Sequence, residues 1–261
     1  MVPMDTALAY GILAAFAVSL VSLAGIATLS INERWLKQSM NALIGLAAGA
    51  LLGDAFIHLI PETFEAGVEG PVFALSILGG ILVFLVIERY LHWYNRSNAH
   101  RACPPGEVCV ADTTKPLGAL VIFGDGVHNF VDGAVIAASF MVSVPLGITT
   151  TIAVFLHEIP QEISDFALLL HAGFTRARAL LWNFMSGILS VLGAFTFFFI
   201  GDVIENIEPI AAAFTAGGFI YIAAANLVPE LQKTEHPGRA AIEFLAVLIG
   251  IGLMFALLAL E

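Results

Sequence analysis

Lysine and arginine are scarce in this chain: ten occur in 261 residues, against 21 aspartates and glutamates, and none of the ten falls near the middle of a long apolar run. The net charge of −11 excludes a surface built to neutralise nucleic-acid phosphates. Cysteine is scarcer still. Cys103 and Cys109 stand at a C-x5-C spacing that suits neither a zinc-binding nor a redox motif. No basic residue precedes the first apolar run, so a cleaved signal peptide is not expected. Short segments of alternating hydrophobicity are also missing, which excludes a β-barrel.

What remains is apolar. With 59% hydrophobic and 12% charged residues and a mean hydropathy of +0.93, the composition is that of an all-α integral membrane protein whose partner is the lipid bilayer. Eight apolar stretches, at 6–30, 41–62, 71–92, 116–142, 145–172, 177–201, 208–231 and 239–260, are each long enough to cross it. They form one transmembrane domain, 1–261, with a single connection of size at 93–115. Basic residues occupy alternate connections (Arg34 and Lys37; Arg89 to Lys115; Arg176 and Arg178; Lys233 and Arg239), while the second, fourth and sixth have none. By the positive-inside rule the basic side is cytoplasmic. The expectation is a multi-pass protein of the plasma or inner cell membrane with both termini extracytoplasmic and 93–115 a cytoplasmic loop.

Two polar clusters interrupt the fourth and fifth spans. Pro116 and Pro145 suit a first helical turn, and His128 and His157 each lie twelve residues further on. At about 1.5 Å per residue that is roughly 18 Å, near the middle of a ~30 Å hydrocarbon core. The intervening loop is short, so the spans form an antiparallel hairpin and the histidines meet at one depth. Asp125, His128, Asn129 and Asp132 share one face of the first helix, and His157, Glu158, Gln161, Glu162 and Asp165 one face of the second. Pro160 frees the carbonyl of Leu156, which is tolerable at this depth only in a cavity or against a ligand.

Polar residues in membranes often serve only to join helices. That reading fails here on charge, because five carboxylates sit in these spans with no lysine or arginine to balance them. Protons or a bound cation must do so. Imidazole, carboxylate and carboxamide together suit a divalent transition metal, and shared carboxylates could bridge two ions.

His128-Asn129-Phe130-Val131-Asp132-Gly133 and His157-Glu158-Ile159-Pro160-Gln161-Glu162 resemble the fourth and fifth transmembrane signatures of the ZIP (Zrt/Irt-like protein) divalent metal transporters. The second is similar to the HExPHExGD version of a large eukaryotic subfamily and its prokaryotic relatives. The resemblance implies eight transmembrane helices in a 3+2+3 arrangement. It also implies Zn²⁺ as the transported substrate, with Cd²⁺, Fe²⁺ or Mn²⁺ as alternatives, moving toward the cytoplasm. The metal ligands would be His128, Asn129, Asp132, His157, Glu158, Gln161 and Glu162. Gln161 stands where that subfamily has His, and Ser164 where it has Gly, which leaves one ion or two open; a homodimer is likewise left open.

An internal repeat agrees with this arrangement. A shift of 168 residues aligns Ala48-Gly49 with Ala216-Gly217 and His58-Leu59-Ile60-Pro61-Glu62 with Asn226-Leu227-Val228-Pro229-Glu230. Spans two and seven run in opposite directions, so spans 1–3 and 6–8 form an inverted repeat around the central hairpin. Asp54 and His58, at i and i+4, with Glu62 one turn further out, are candidates for an entry route or a first docking point for metal, and Glu230 for the exit side. Asp125 and Asp165 stand behind the ligands. Asn183 and Ser186 of span six either complete the site or bond helix to helix, and the second is the expectation.

Two other functions are set beside metal transport. His157-Glu158 opens an apparent H-E-x-x-H, as in an intramembrane metalloprotease, but Gln161 occupies the place of the second histidine, so an enzyme is not expected. The other is transport of a different cation, with the acids and histidines as a proton relay.

Overall fold

In a bilayer no water satisfies free N–H and C=O groups, so apolar runs of this length must satisfy them by coiling. Among the described residues the chain is accordingly helix joined by turns and short irregular links. The structure, a computed structural model, describes residues 4–23, 33–102, 115–200 and 207–258. Cys103, Cys109 and residues 24–30 of the expected first span lie outside them.

In chain order the helices are α1 (Met4–Ser19), α2 (Glu33–Gly53), α3 (Gly70–Ala102), α4 (Lys115–Val142), α5 (Val144–His171), α6 (Arg176–Gly187, resumed over Leu189–Ile200), α7 (Ile207–Tyr221) and α8 (Pro237–Leu257). α2 continues through a π-helical turn, Asp54–Leu59, and then Ile60–Glu65. α7 does the same through Ile222–Leu227 and Val228–Leu231. Seven of these rods are long and apolar enough to cross a membrane. The other, α5, is 28 residues long, about 42 Å at ~1.5 Å per residue. Its polar run from His157 to Asp165 dilutes an otherwise apolar span. α3 crosses as Gly70–Tyr94 and stays helical to Ala102, so much of the expected 93–115 connection is helix. Charged residues end an apolar stretch without ending a helix, and no proline intervenes before Pro104.

Ends are set locally. A single residue, Ser143, separates α4 from α5. Its hydroxyl accepts from the Leu146 N–H at 3.3 Å, with Pro145 in the first turn. Gly173, at φ 86°, closes α5, and the Phe174 N–H returns to the Leu169 carbonyl at 3.0 Å. Both π-helical turns end just before a proline, Pro61 or Pro229. The Ile60 and Val228 N–H groups reach back five residues, to the carbonyls of Ala55 and Ala223. These turns coincide under the 168-residue shift.

Close packing rests on small residues. α2 lies along α8, and α3 along α7. A Cβ on Gly49 would stand 2.1 Å from the Val247 carbonyl oxygen, and one on Gly217 would stand 2.2 Å from that of Ile77. Gly49 and Gly217 are themselves 168 residues apart. α4 is pinned to α6 in the same way, Gly133 against the Ser190 backbone and Gly193 against that of Phe130. Leu82 and Val86 of α3, and Phe244 and Phe255 of α8, are exposed, as lipid-facing side chains are.

Valine at Gly49 or at Gly217 must push two backbones apart and is expected to destabilise the fold by about 1–3 kcal/mol. A cavity-free control is Gly252→Ala, where a Cβ would meet nothing within 4 Å. Thermal melting in detergent should separate the first two from the third.

Candidate metal centre

α4 and α5 are antiparallel neighbours, and their polar faces meet. Asp125, His128, Asn129 and Asp132 from α4, and His157, Glu158, Gln161, Glu162 and Asp165 from α5, are all buried. The rings of His128 and His157 lie 5.5 Å apart, at the common depth expected of them. Phe219 of α7 closes one side, its ring 5.3 Å from that of His128.

The π-helical turn of α2 adds Asp54. Its Oδ1 is 3.3 Å from His58 Nδ1 and its Oδ2 3.9 Å from His128 Nδ1. Within that turn Asp54 and His58 both face α4 and α5, and Asp54 lies both beside His128 and in the lining of the cavity that leads in. Six carboxylates are thus buried here: Asp54, Asp125, Asp132, Glu158, Glu162 and Asp165. The ion-pair contacts of Asp54, Asp132 and Glu158 among the described residues all run to histidine.

Two donor groups form, and Glu158 belongs to both. Ligand atoms of His128, Asp132, His157 and Glu158 lie within 4.8 Å of one another, and so do those of Asp125, Glu158 and Glu162. In the first group His157 Nε2 is 3.1 Å from Asp132 Oδ2, while His128 Nε2 is 3.5 Å from Asp132 Oδ2 and 3.6 Å from Glu158 Oε1. Four donors at 2.0–2.2 Å from a tetrahedral zinc stand about 3.4 Å apart, and these three separations are compatible with edges of such a polyhedron. The separations of His128 exceed a good hydrogen bond, and neither of its nitrogens makes one.

The amides are similarly poised. Asn129 donates its Nδ2 to Asp125 Oδ1 at 2.8 Å, leaving its own oxygen buried without a partner. Both polar atoms of the Gln161 amide are buried and unpartnered. Such groups are costly in protein interiors unless something else engages them. Glu162 accepts from Asn183 Nδ2 of α6, which also donates to the Ser22 carbonyl at 3.3 Å. Asn183 therefore joins helix to helix as expected, but does so on a centre carboxylate. No sequence pattern separates that role from ordinary helix joining for a lone asparagine. Asp165 lies against Asp125.

A cavity of about 320 Å³ leads to this centre, lined by Glu65, Glu62, His58, Asp54, Asp132 and His157, with Leu146 and Thr149 of the first turns of α5. It lies at the Pro145 end of α5. Glu230 is not part of the centre. It pairs with Lys233 at 2.5 Å and stands 4.0 Å from His171 Nε2, at the other end of α5. His171 is fourteen residues beyond His157, roughly 21 Å along the helix.

Residues 5–116 and 107–258 match the family model described as ZIP zinc transporter. Zinc transporter ZIP13 of Pongo abelii is 34% identical over 230 residues, covering 82% of this chain and 66% of that protein. The Drosophila melanogaster zinc transporter ZIP13 homolog is 32% identical over 270 residues, 82% of this chain and 76% of its own length. Zinc transporter ZIP6 of Homo sapiens is 40% identical over 152 residues, 56% of this chain and 20% of that protein. The chain thus spans about two thirds to three quarters of these ZIP13 relatives and a fifth of ZIP6.

Removing the His128 imidazole takes away a donor with three carboxylates around it. His128→Ala is expected to weaken Zn²⁺ or Cd²⁺ binding by more than the roughly 10–100-fold that loss of an outer-shell partner costs. Glu230→Gln, remote from the centre, should leave it unchanged; calorimetric titration of the purified protein reads both.

Proposed function

The chain belongs to the ZIP zinc transporter family, and from that premise we propose that it carries a divalent transition metal, Zn²⁺ first, across the membrane through the α4–α5 centre. One observation carries the reading. Six carboxylates are buried among imidazoles and amides where α2, α4 and α5 meet, with histidines as the ion-pair partners of Asp54, Asp132 and Glu158. An arriving cation supplies the missing positive charge. The family is one of transporters rather than enzymes, and Gln161 in the place of the second histidine agrees.

His128, Asp132, His157 and Glu158 receive the ion. Asn129, Gln161 and Glu162 complete the shell, and Asp125 and Asp165 stand behind it. The cavity past Glu62, His58 and Asp54 is the access route, and Glu230 with His171 marks the opposite end. Glu158 hands the ion from the imidazole-bearing group to the carboxylate group, since it serves both. Cd²⁺, Fe²⁺ and Mn²⁺ fit the same donors less selectively.

The 3+2+3 inverted repeat is supported by the coincidence of the two π-helical turns at a 168-residue shift and by the matching of the α2–α8 and α3–α7 pairs. The alternation of basic connections supports a cytoplasmic 93–115 and extracytoplasmic termini, and inward movement across the cell membrane is what the resemblance to the family implies.

Vesicles reconstituted with purified protein are expected to take up Zn²⁺ above empty vesicles, and alanine at both His128 and Glu158 should return uptake to the empty-vesicle level. Uptake that survives the double substitution, or absence of uptake of Zn²⁺, Cd²⁺, Fe²⁺ and Mn²⁺ alike, overturns the proposal. Imidazole and carboxylate ligands must shed protons to bind metal, so uptake should slow as the external solution is acidified. Orientation has its own check. A membrane-impermeant maleimide should label Cys103 and Cys109 in intact cells only after permeabilisation.

A further inference from the structure

α4 has a second face. Opposite the metal centre, Ala119, Ile122, Gly126 and Phe130 recur at three- and four-residue spacing, and with Trp182 and Leu189 of α6 they line an apolar cavity of about 710 Å³. Its cause lies in the glycine contacts already described. α4 and α6 touch backbone to backbone at Gly133 and Gly193. Toward Pro116 and Arg176 the contacts are instead aromatic. Phe174 presses on Gly118, where a Cβ would stand 2.6 Å from its ring, and Trp182 remains 45% exposed. The helices splay at this end and leave a slot open to the bilayer.

We propose that this slot holds one acyl chain of an anionic phospholipid from the leaflet on the Arg176 side, with Arg178 at the headgroup. Three features select that occupant. The lining from Ala119 to Phe130 covers twelve residues, roughly 18 Å at ~1.5 Å per residue and so about half of a ~30 Å hydrocarbon core, which is the reach of one leaflet. The lining carries no charged group, and a void of this size facing lipid fills with lipid chain. Arg178, one turn before Trp182 on the same face, is exposed and makes no ion pair among the described residues. A basic side chain where a groove between spans meets the interface recruits an anionic headgroup. A second copy of the chain would need a broad flat face, whereas a slot between two helices admits something of one chain's width.

The bound chain braces the metal centre from behind. Gly126 and Val127 adjoin Asp125 and His128, and Trp182 adjoins Asn183, the donor to Glu162. An occupant therefore fixes the two helices whose spacing holds these contacts.

The test is lipid retention, and it stands apart from metal transport. Delipidated protein is mixed with phosphatidylglycerol and phosphatidylcholine of matched chains, and bound lipid is counted by native mass spectrometry. One phosphatidylglycerol should be retained in preference. Arg178→Gln, a surface change that leaves the fold intact, should cut that preference about fivefold, the worth of one basic residue at an anionic surface, while chain binding persists. Ala119→Trp fills the slot and should abolish both adducts. Equal retention of the two lipids by the parent protein, a preference undiminished by Arg178→Gln, or adducts that survive Ala119→Trp would each overturn the assignment. So would a lipid-free dimer that Ala119→Trp dissociates, since a second copy would then cover the slot.

Discussion

Unbalanced negative charge at the centre of a bilayer is the constraint on which this structure depends. An isolated carboxylate there costs so much that the surroundings must neutralise it or shift it to the acid form. The chain meets the constraint without a permanent cation. Its carboxylates share hydrogen bonds and ion-pair distances with imidazoles, which can be neutral or charged, and with amides that are themselves left partly unengaged. A lysine in the same place would balance the charge for good and leave nothing for a travelling ion to do. On the proposed path, an incomplete balance lets the cargo be part of the fold's electrostatics while it is present and absent from them afterwards.

Holding such a centre together demands backbone devices that bring distant helices close. Glycines at Gly49, Gly133, Gly193 and Gly217 let carbonyl-bearing backbones touch where any larger residue would separate them. The π-helical turns re-aim side chains within a continuous rod. In α2 this brings Asp54 against His128 while His58 stays 5.9 Å from the His157 ring. Ordinary helical geometry would keep the same i, i+4 pair on one face but would not bring α2 inward at that depth. The matching turn in α7 carries Asn226 in place of His58 and Ile222 in place of Asp54. The two turns therefore share the backbone device and not the chemistry, and of the two only the one in α2 carries an acid and an imidazole.

Much of this was legible in the chain itself because the signals were of kinds that membranes amplify. Apolar runs mark spans, and polar residues inside them are few enough that His128 and His157 could be set at one depth by counting from Pro116 and Pro145. The hairpin followed from the brevity of the Ser143 link. Other features were not legible. The π-helical turn that carries Asp54 was one of them, because periodicity assumes a regular helix and the turn is signalled only by Pro61, a residue that elsewhere would simply begin a turn. Asn183 read as helix glue because a lone amide in an apolar span carries no mark of what it bonds. The length of α3 was understated because hydropathy reports where the bilayer ends, and a helix obeys only its own backbone.

The two donor groups differ in a way that bears on direction. The one reached by the cavity contains both imidazoles, while the one beyond it, Asp125 with Glu158 and Glu162, offers oxygen alone. A borderline ion such as Zn²⁺ gains from nitrogen donors and less from oxygen donors, whereas carboxylates compensate by charge. On the proposed path an ion would therefore be selected at the nitrogen-bearing group, where softness discriminates, and passed to a group that attracts it mainly by charge. Because Glu158 belongs to both, the ion need not be released before it is recaptured. Its transfer is a rotation about one side chain, with the buried amides of Asn129 and Gln161 beside it to take up vacated coordination positions. Selectivity and release are thereby assigned to different residues, which is how one narrow centre can bind tightly enough to choose and loosely enough to let go.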